Sequence, residues 1–203
     1  MPVPVTYRTG GEGAIASYNY TDVAEGTGVI AFQGFNVGTS GAIVSTKYIL
    51  GTQTLYSYEV ESAVTSTTAY PFNLSAFNLP KTVKGTATLR FSVQYNGNIT
   101  ENANFVAEIF KVSGGTPASM GSACTDSLTS GGSAIIKNIV LRINLNETPF
   151  KKGDNLRITI TPYLTQGTAV LAHDPANRDG TIITPATTYP TKLEAHIPFK
   201  LDL

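Results

Sequence analysis

Apolar and polar side chains alternate along residues 135–145, which read IIKNIVLRINL. Lys137 is the single polar interruption of the apolar series at every second position, and the positions between are mostly polar. Successive side chains of a β-strand point to opposite faces of a sheet, so this pattern predicts one long strand with an apolar face and a solvated face. The predicted apolar face comprises Ile135, Ile139, Leu141, Ile143 and Leu145.

The same alternation recurs through the second half of the chain and favours an all-β fold. No stretch keeps apolar residues at the i, i+3, i+4 and i+7 spacing of a helix over three turns. The pattern predicts about eight or nine strands. The predicted strands cover residues 29–35, 42–50, 54–63, 87–95, 104–112, 118–126, 135–146, 155–164 and 192–203.

Short polar and glycine-containing segments separate the predicted strands, as turns of a β-protein require. Examples are NGN at 96–98, SGGTP at 113–117 and KKGDN at 151–155. Strands with one apolar and one polar face are typical of two antiparallel sheets packed face to face. A jelly-roll β-sandwich is the favoured arrangement, and an immunoglobulin-like sandwich is the alternative.

The two irregular segments of the chain define its predicted organisation. Glycines and prolines interrupt residues 1–28, which we predict to form an extended N-terminal arm before a jelly-roll β-sandwich domain over 29–203. The arm contains three tyrosines, so we expect it to dock either on a neighbouring copy or on its own domain. Residues 172–190 are predicted to form a long loop, and such loops are usually functional or interfacial.

Composition excludes several classes of partner. Hydrophobic residues make up 41% of the chain, which is enough for a core, and charged residues only 14%. Fourteen basic residues balance fourteen acidic ones, so no basic footprint for nucleic acid is visible, while a net charge near zero favours association between copies. The first residues lack the pattern of a signal peptide, and no apolar run is long enough to span a membrane. We expect synthesis in the cytoplasm.

Cysteine and histidine are too few to dominate the chemistry. Cys124 is the only cysteine, so no intrachain disulfide forms, and we expect it to be a small apolar strand residue rather than a reactive thiol. The two histidines are His173 and His196. His196 falls on the polar face of the last predicted strand, where a solvated side chain is expected.

The segment HDPANRDG at 173–180 is the one candidate metal site. His173, Asp174, Asn177 and Asp179 place oxygen and nitrogen ligands within seven residues, and oxygen ligands at such spacing suit calcium. The bidentate glutamate that ends a calcium-binding loop is missing, and Asp-Pro and Asp-Gly are ordinary turn formers. We therefore expect a structural turn at Asp174 and Asp179, with no metal and no cofactor.

No catalytic motif of the GxSxG, HExxH, P-loop or CxxC type occurs in the sequence. Glu59 and Glu61 are predicted to share one strand face, as a glycosidase pair would, but strands also expose two acids to water. The prediction from the sequence is that the chain is not an enzyme. Sugar binding would have to depend on tyrosines, because tryptophan is absent. The candidate tyrosines are Tyr56, Tyr58, Tyr163 and Tyr189.

Two stretches resemble a known group of proteins. GTQTLYSYEVESA at 51–63 and the block from DSLTSGG to ITPYL at 126–164 are similar to β-sandwich virion proteins of tailed bacteriophages, in particular head-decoration (cement) and capsid-fibre proteins. The signature is a long alternating strand, then FKKGD, then LRITI. The resemblance implies that Lys152, Gly153 and Asp154 turn the chain between two jelly-roll strands, and it implies no catalytic residue.

The resemblance implies a structural role on the capsid surface of a virion. Copies would form a homo-oligomer, a trimer at local three-fold positions, and bind the major capsid protein so as to clamp neighbouring capsomers. Two alternatives remain open at this point. One is a carbohydrate-binding or receptor-binding adhesion module of a phage fibre or cell surface, and the other is a hydrolase with a dispersed site.

Overall fold

The computed structural model describes residues 8–9, 12–13, 16–17, 27–37, 47–52 and 59–200, and every regular element in these ranges is a strand. The all-β expectation is confirmed. No described residue belongs to a helix of the length and apolarity that a bilayer crossing requires. The strands are β1 (Arg8–Thr9), β2 (Glu12–Gly13), β3 (Ala16–Ser17), β4 (Thr27–Val37), β5 (Lys47–Gly51), β6 (Glu61–Val64), β7 (Tyr70–Asn73), β8 (Lys81–Asn96), β9 (Asn102–Ser113), β10 (Thr116–Cys124), β11 (Leu128–Thr129), β12 (Ile135–Phe150), β13 (Asn155–Leu164), β14 (Thr168–Ala172) and β15 (Leu193–Lys200).

The strand pair β8 and β12 forms the longest wall of the domain. Both strands have 16 residues and they pair antiparallel along almost their whole length. Burial alternates along β12 from Ile139 to Leu145, with each odd-numbered residue buried and each even-numbered residue exposed. The apolar face predicted from the sequence is therefore confirmed over that span, since period-two alternation is what one buried face of a sheet requires.

The remaining strands extend and curl this wall into antiparallel sheets whose inner faces meet. The order of hydrogen-bonded neighbours is β10-β9-β13-β7-β5-β4-β15-β8-β14-β6, with β12 on the other edge of β8. Among the strands that the structure describes, only β5 and β7 pair parallel. Phe91 of β8 and Phe105 of β9 are both fully buried, and their rings meet edge to face with centroids 6.4 Å apart. This architecture is consistent with a β-sandwich, and the jelly-roll order stays a prediction.

Two strands of four or more residues lie outside the strands predicted from the sequence. β7 is four residues long and contains Pro71, and β14 is an apolar run with no alternation. Within the predicted arm, Ala16 and Ser17 pair with Ile30 and Val29 of β4. The rest of that arm, apart from β1, β2 and the start of β4, lies outside the described residues, as do residues 42–46, 54–58 and 201–203 of the predicted strands.

Glycines with positive φ close the turns at the ends of the sheets. Gly114 and Gly115 have φ values of 56° and 85° in the β9–β10 hairpin, and no atom lies within 4 Å of a Cβ built on either. Gly153 has a φ of 93° in the turn between β12 and β13. An L-residue with a side chain rarely adopts this backbone conformation, so glycine is the residue that suits these turns.

Candidate functional site

Three parts of the domain carry the candidate side chains, and the first is the corner at Lys152, Gly153 and Asp154. The corner joins β12, which pairs with β8, to β13, which pairs with β9 and β7. One carboxylate oxygen of Asp154 accepts hydrogen bonds from the Lys151 backbone N–H at 2.7 Å and from Lys111 Nζ at 3.1 Å. The predicted turn is therefore present, fixed by a carboxylate that caps it.

Donors around the corner stabilise the charged form of Asp154. The Lys151 backbone N–H, followed by the Ser113 hydroxyl and the Lys111 ammonium, lowers the pKa of Asp154 from 3.8 to about 2. A carboxylate that accepts several hydrogen bonds stays ionised far below neutral pH. The corner thus has a structural role, in which the Asp154 carboxylate stabilises the turn through its hydrogen bonds and its ion pair.

The second part is the segment 173–192, which connects β14 to β15 and contains no strand. Its first carboxylate, Asp174, is completely buried. It accepts hydrogen bonds from the backbone N–H groups of Ala176 and Arg178, and both of its oxygens are engaged by the Arg178 guanidinium. A buried charge is tolerated when it is paired and hydrogen-bonded in this way.

Two further carboxylates fasten the same segment. Asp179 accepts a hydrogen bond from the Ala186 backbone N–H at 2.5 Å. Glu61, the first residue of β6, accepts hydrogen bonds from the N–H groups of Ile182 and Ile183 at 2.7 and 2.9 Å. The predicted long loop therefore exists, and it is an ordered cover bound to the sheet by its backbone.

The cover creates a second apolar cluster on the outside of the wall. Ile183 is fully buried against Val170 and Ala172 of β14, and Tyr189 packs on the same cluster. This explains why β14 is buried on both faces and shows no alternation in the sequence.

These contacts occupy the oxygens that the sequence offered to calcium. Asp174 is saturated by Arg178 and backbone donors, and Asp179 is hydrogen-bonded to Ala186. The Asn177 side-chain oxygen accepts from the Thr191 N–H at 2.9 Å. Within the ranges that the structure describes, no group of three or more His, Cys, Asp and Glu side chains is arranged to hold a metal ion.

The third part is a polar relay that the sequence analysis missed. Ser62 Oγ lies 2.8 Å from His173 Nε2 and 2.9 Å from Glu59 Oε2. The same oxygen of Glu59 accepts a hydrogen bond from Asn36 Nδ2 at 2.8 Å. Glu59 precedes β6, so it does not share a strand with Glu61 as predicted, and the two carboxylates bind different groups.

Burial determines the charge of the histidine in this relay. His173 is completely buried, and removal from water lowers the pKa of its imidazole from 6.5 to about 4. The ring is therefore neutral at neutral pH. Because the single Ser62 proton is donated to Glu59, His173 donates from Nε2 to Ser62 Oγ. In a Ser-His-carboxylate triad the imidazole stands between hydroxyl and carboxylate, whereas here the hydroxyl occupies the middle position.

The remaining candidates are the tyrosines and His196. Tyr163 is half exposed on β13, and Tyr189 belongs to the cover and packs on Val170, Ala172 and Ile183. Tyr56 and Tyr58 lie outside the described residues. The described tyrosines thus do not form one stacking platform for a sugar. His196 is exposed on β15, as predicted.

Cys124 departs from its predicted environment. It ends β10 and is exposed, so it does not act as an apolar strand residue of the core. The strand has a bulge at Met120, which is buried and has no pairing partner on β9. After the bulge the alternation resumes, so Ala123 packs against the core and Cys124 points to the exposed face.

Comparison with known proteins gives a likeness in fold only. No family model and no curated protein matches the sequence. An aminopeptidase from a marine sediment archaeon, Thaumarchaeota archaeon, is similar with a TM-score of 0.52 and 10% identity over 84% of this chain and 37% of the aminopeptidase. A CocE/NonD family hydrolase from Staphylococcus aureus is similar with a TM-score of 0.50 and 9% identity over 83% of this chain and 36% of the hydrolase.

The chain thus spans little more than a third of the length of these two enzymes. The VP2 subviral particle of infectious bursal disease virus also matches, with 9% identity over 82% of this chain and 42% of VP2, at a TM-score of 0.26 from which no relationship follows.

The expectation that the chain is not an enzyme is contradicted by these likenesses, because the aminopeptidase and the CocE/NonD family hydrolase, with TM-scores of 0.52 and 0.50, are hydrolytic enzymes. That expectation was drawn from the absence of catalytic motifs in this sequence. In both enzymes nearly two thirds of the chain lies outside the matched region. The absence of motifs within a region of this fold therefore does not exclude hydrolytic function.

Proposed function

We propose that this chain is a structural protein of a virion, which sits on the capsid surface as a homo-oligomer and binds the major capsid protein. The observation that carries the proposal is that hydrogen bonds hold two segments between strands in a fixed shape. The cover at 173–192 and the corner at 151–154 are both held by carboxylates that bond backbone N–H groups. A protein that clamps its neighbours needs surface segments that hold their shape under load.

Three further features support this role. The 16-residue strands β8 and β12 give the domain a long, continuously paired wall. The turn at Lys152, Gly153 and Asp154 connects strand β12 to strand β13, in keeping with the virion proteins that the sequence resembles. The formal net charge of zero lowers repulsion between copies packed side by side.

The test combines native mass measurement with sedimentation. The full chain is mixed with capsids purified from the virus whose genome encodes it, after removal of any resident copies of the protein. We expect a defined oligomer that sediments with the capsids and raises their heat-disruption temperature. A monomer that stays in the supernatant would overturn the proposal.

A second candidate is a β-sandwich module of a hydrolase, and the specific observation in its favour is the likeness to the aminopeptidase and the CocE/NonD family hydrolase. Ester and aminopeptide substrates are the appropriate screen. Ser62→Ala and Glu59→Gln are informative variants because Ser62 is in contact with both His173 and Glu59. Turnover that disappears in Ser62→Ala but not in Ser119→Ala, an exposed serine of β10, would favour this candidate over the virion protein.

A further inference from the structure

The outer face of strands β15, β8 and β12 brings three nitrogen-bearing side chains around one threonine. Thr88 of β8 pairs with His196 of β15 on one side and with Arg142 of β12 on the other. Arg90 lies two residues further along β8 and so projects from the same face. Directly paired residues of antiparallel strands have Cβ atoms about 5 Å apart. Two guanidinium groups and an imidazole therefore share one small area.

These groups are turned toward solvent. Arg90, Arg142 and His196 are exposed, and neither arginine takes part in an ion pair among the described residues. Glu194, the acid paired opposite Arg90, accepts a hydrogen bond from Gln33 Nε2 at 3.1 Å. Guanidinium groups present donors in a planar fork that fits the oxygens of a carboxylate, sulfate or phosphate. The area is thus equipped to bind an oxyanion.

A groove in this area offers side chains that can bind the hydroxyl groups of a sugar ring as well as a negative charge on that sugar. Threonine hydroxyls and a carboxylate lie beside the cationic groups, and no Phe or Tyr lies among the lining residues. The groove is lined by Val29, Thr86, Thr88, Arg90, Glu194 and His196. Single-stranded nucleic acid is usually bound by stacking bases on aromatic rings, which this groove does not offer.

Positive charge continues along the same face. Lys84, four residues before Thr88 on β8, and Lys200 at the end of β15 share one exposed carboxylate, Glu147, at 3.1 and 3.7 Å. Two ammonium groups on one carboxylate leave an excess of positive charge. From Lys84 to Arg90 an extended strand covers about 20 Å. The spacing fits several charged units of a linear polymer rather than one isolated ion.

We propose that this face binds an acidic polysaccharide, with Arg90, Arg142 and His196 holding a sulfate or carboxylate group of the polymer. The threonine hydroxyls of the groove bond the neighbouring sugar hydroxyls. The site is formed by other residues than the relay at Ser62, and it does not depend on the virion assignment.

The experiment measures binding of the full chain to three polymers by titration calorimetry. The probes are heparin as a sulfated chain, polygalacturonate as a carboxylated chain and dextran as a neutral chain. We expect binding to the two acidic polymers, none to dextran, and weaker binding at about 200 mM than at about 50 mM salt, as charge-dependent association requires. The double variant Arg90→Gln/Arg142→Gln should weaken heparin binding about tenfold or more.

The matched control is Lys151→Gln/Lys152→Gln, which removes the same charge from two exposed lysines at the corner. It should change the affinity less than about twofold. Both double variants alter exposed side chains, and thermal unfolding confirms that each is folded. Equal losses in the two double variants, tighter binding of single-stranded DNA than of heparin, or no binding to either acidic polymer at low salt would each overturn the proposal.

Discussion

Ser62 Oγ lies 2.8 Å from His173 Nε2, and this contact joins residues 111 positions apart in the sequence. It ties the start of the cover at 173–192 to strand β6, where Glu61 holds the middle of the same segment. The short strand β6 is thus the anchor for the cover, although it pairs with only one other strand among the described residues, β14.

Ser62→Ala is expected to destabilise the domain by about 1–3 kcal/mol, because a buried imidazole N–H then loses its acceptor. The measurement is chemical denaturation at neutral pH. Ser119→Ala on β10, where the side chain is exposed, is the control and should stay within about 0.5 kcal/mol of the parent. Equal effects of the two substitutions would contradict a role for Ser62 as an anchor.

The free energy of unfolding should fall as the pH drops from about 6.5 to about 4. The unfolded chain binds a proton on His173 below its ordinary pKa of 6.5, whereas the folded chain resists protonation until the pKa of about 4. Stability is therefore full above the upper value and decreases toward the lower one, by about 3 kcal/mol at most.

Denaturation curves across this range, for the parent and for His173→Gln, check the source of the slope. The variant should have a lower stability at neutral pH and a flatter dependence between pH 6.5 and 4. His196→Gln, at an exposed position, should keep the slope of the parent. A slope that persists in His173→Gln and disappears in His196→Gln would disprove the assignment.

Asp154 should produce a separate loss of stability at lower pH. Its folded pKa of about 2 lies below the ordinary 3.8, so its contribution is present above about pH 4 and is lost as the pH falls through about 2. Asp154→Asn should remove this acid phase and should loosen the turn that Lys151 and Lys111 form with the carboxylate. Asp126→Asn, at an exposed position, is the control. If Asp154→Asn loses stability at low pH in the same way as the parent, the prediction is contradicted.

The alternation along β12 can be tested by two truncations on opposite faces. Ile143 is completely buried, whereas Val140 is 51% exposed. Ile143→Ala should cost about 2–5 kcal/mol because it leaves a cavity in the core, and Val140→Ala should cost less than about 1 kcal/mol. Thermal or chemical unfolding measures both. Similar losses for the two would mean that the outer side of β12 is covered by another part of the molecule or by a second copy.

The long strands could be predicted because each has one buried face. Ile139 and Leu141 are buried while Val140 and Arg142 are exposed, so the sequence pattern and the burial pattern coincide. β14 could not be recognised in this way. The cover buries its second face, and a run such as TAVLA then lacks any period.

The candidate site was only partly predictable for a similar reason. The segment around Asp174 and Asp179 was recognised as unusual, but the sequence could not show that Arg178 and backbone N–H groups take up its oxygens. Ser62 gave no signal, since its partner His173 is distant in the chain. A buried histidine beside a serine hydroxyl is a tertiary feature, and no local spacing encodes it.

The hairpin tip at Gly114 and Gly115 has a practical consequence for protein engineering. No neighbouring atom lies within 4 Å of a Cβ at either position, and residues 113–119 are all exposed. A foreign peptide grafted between these glycines would project into solvent without touching the interior. The segment 173–192 is longer, and its length alone would make it the more attractive insertion site. An insertion there would break the hydrogen bonds between its backbone N–H groups and carboxylates. The short hairpin tip is therefore the better position for displaying an epitope.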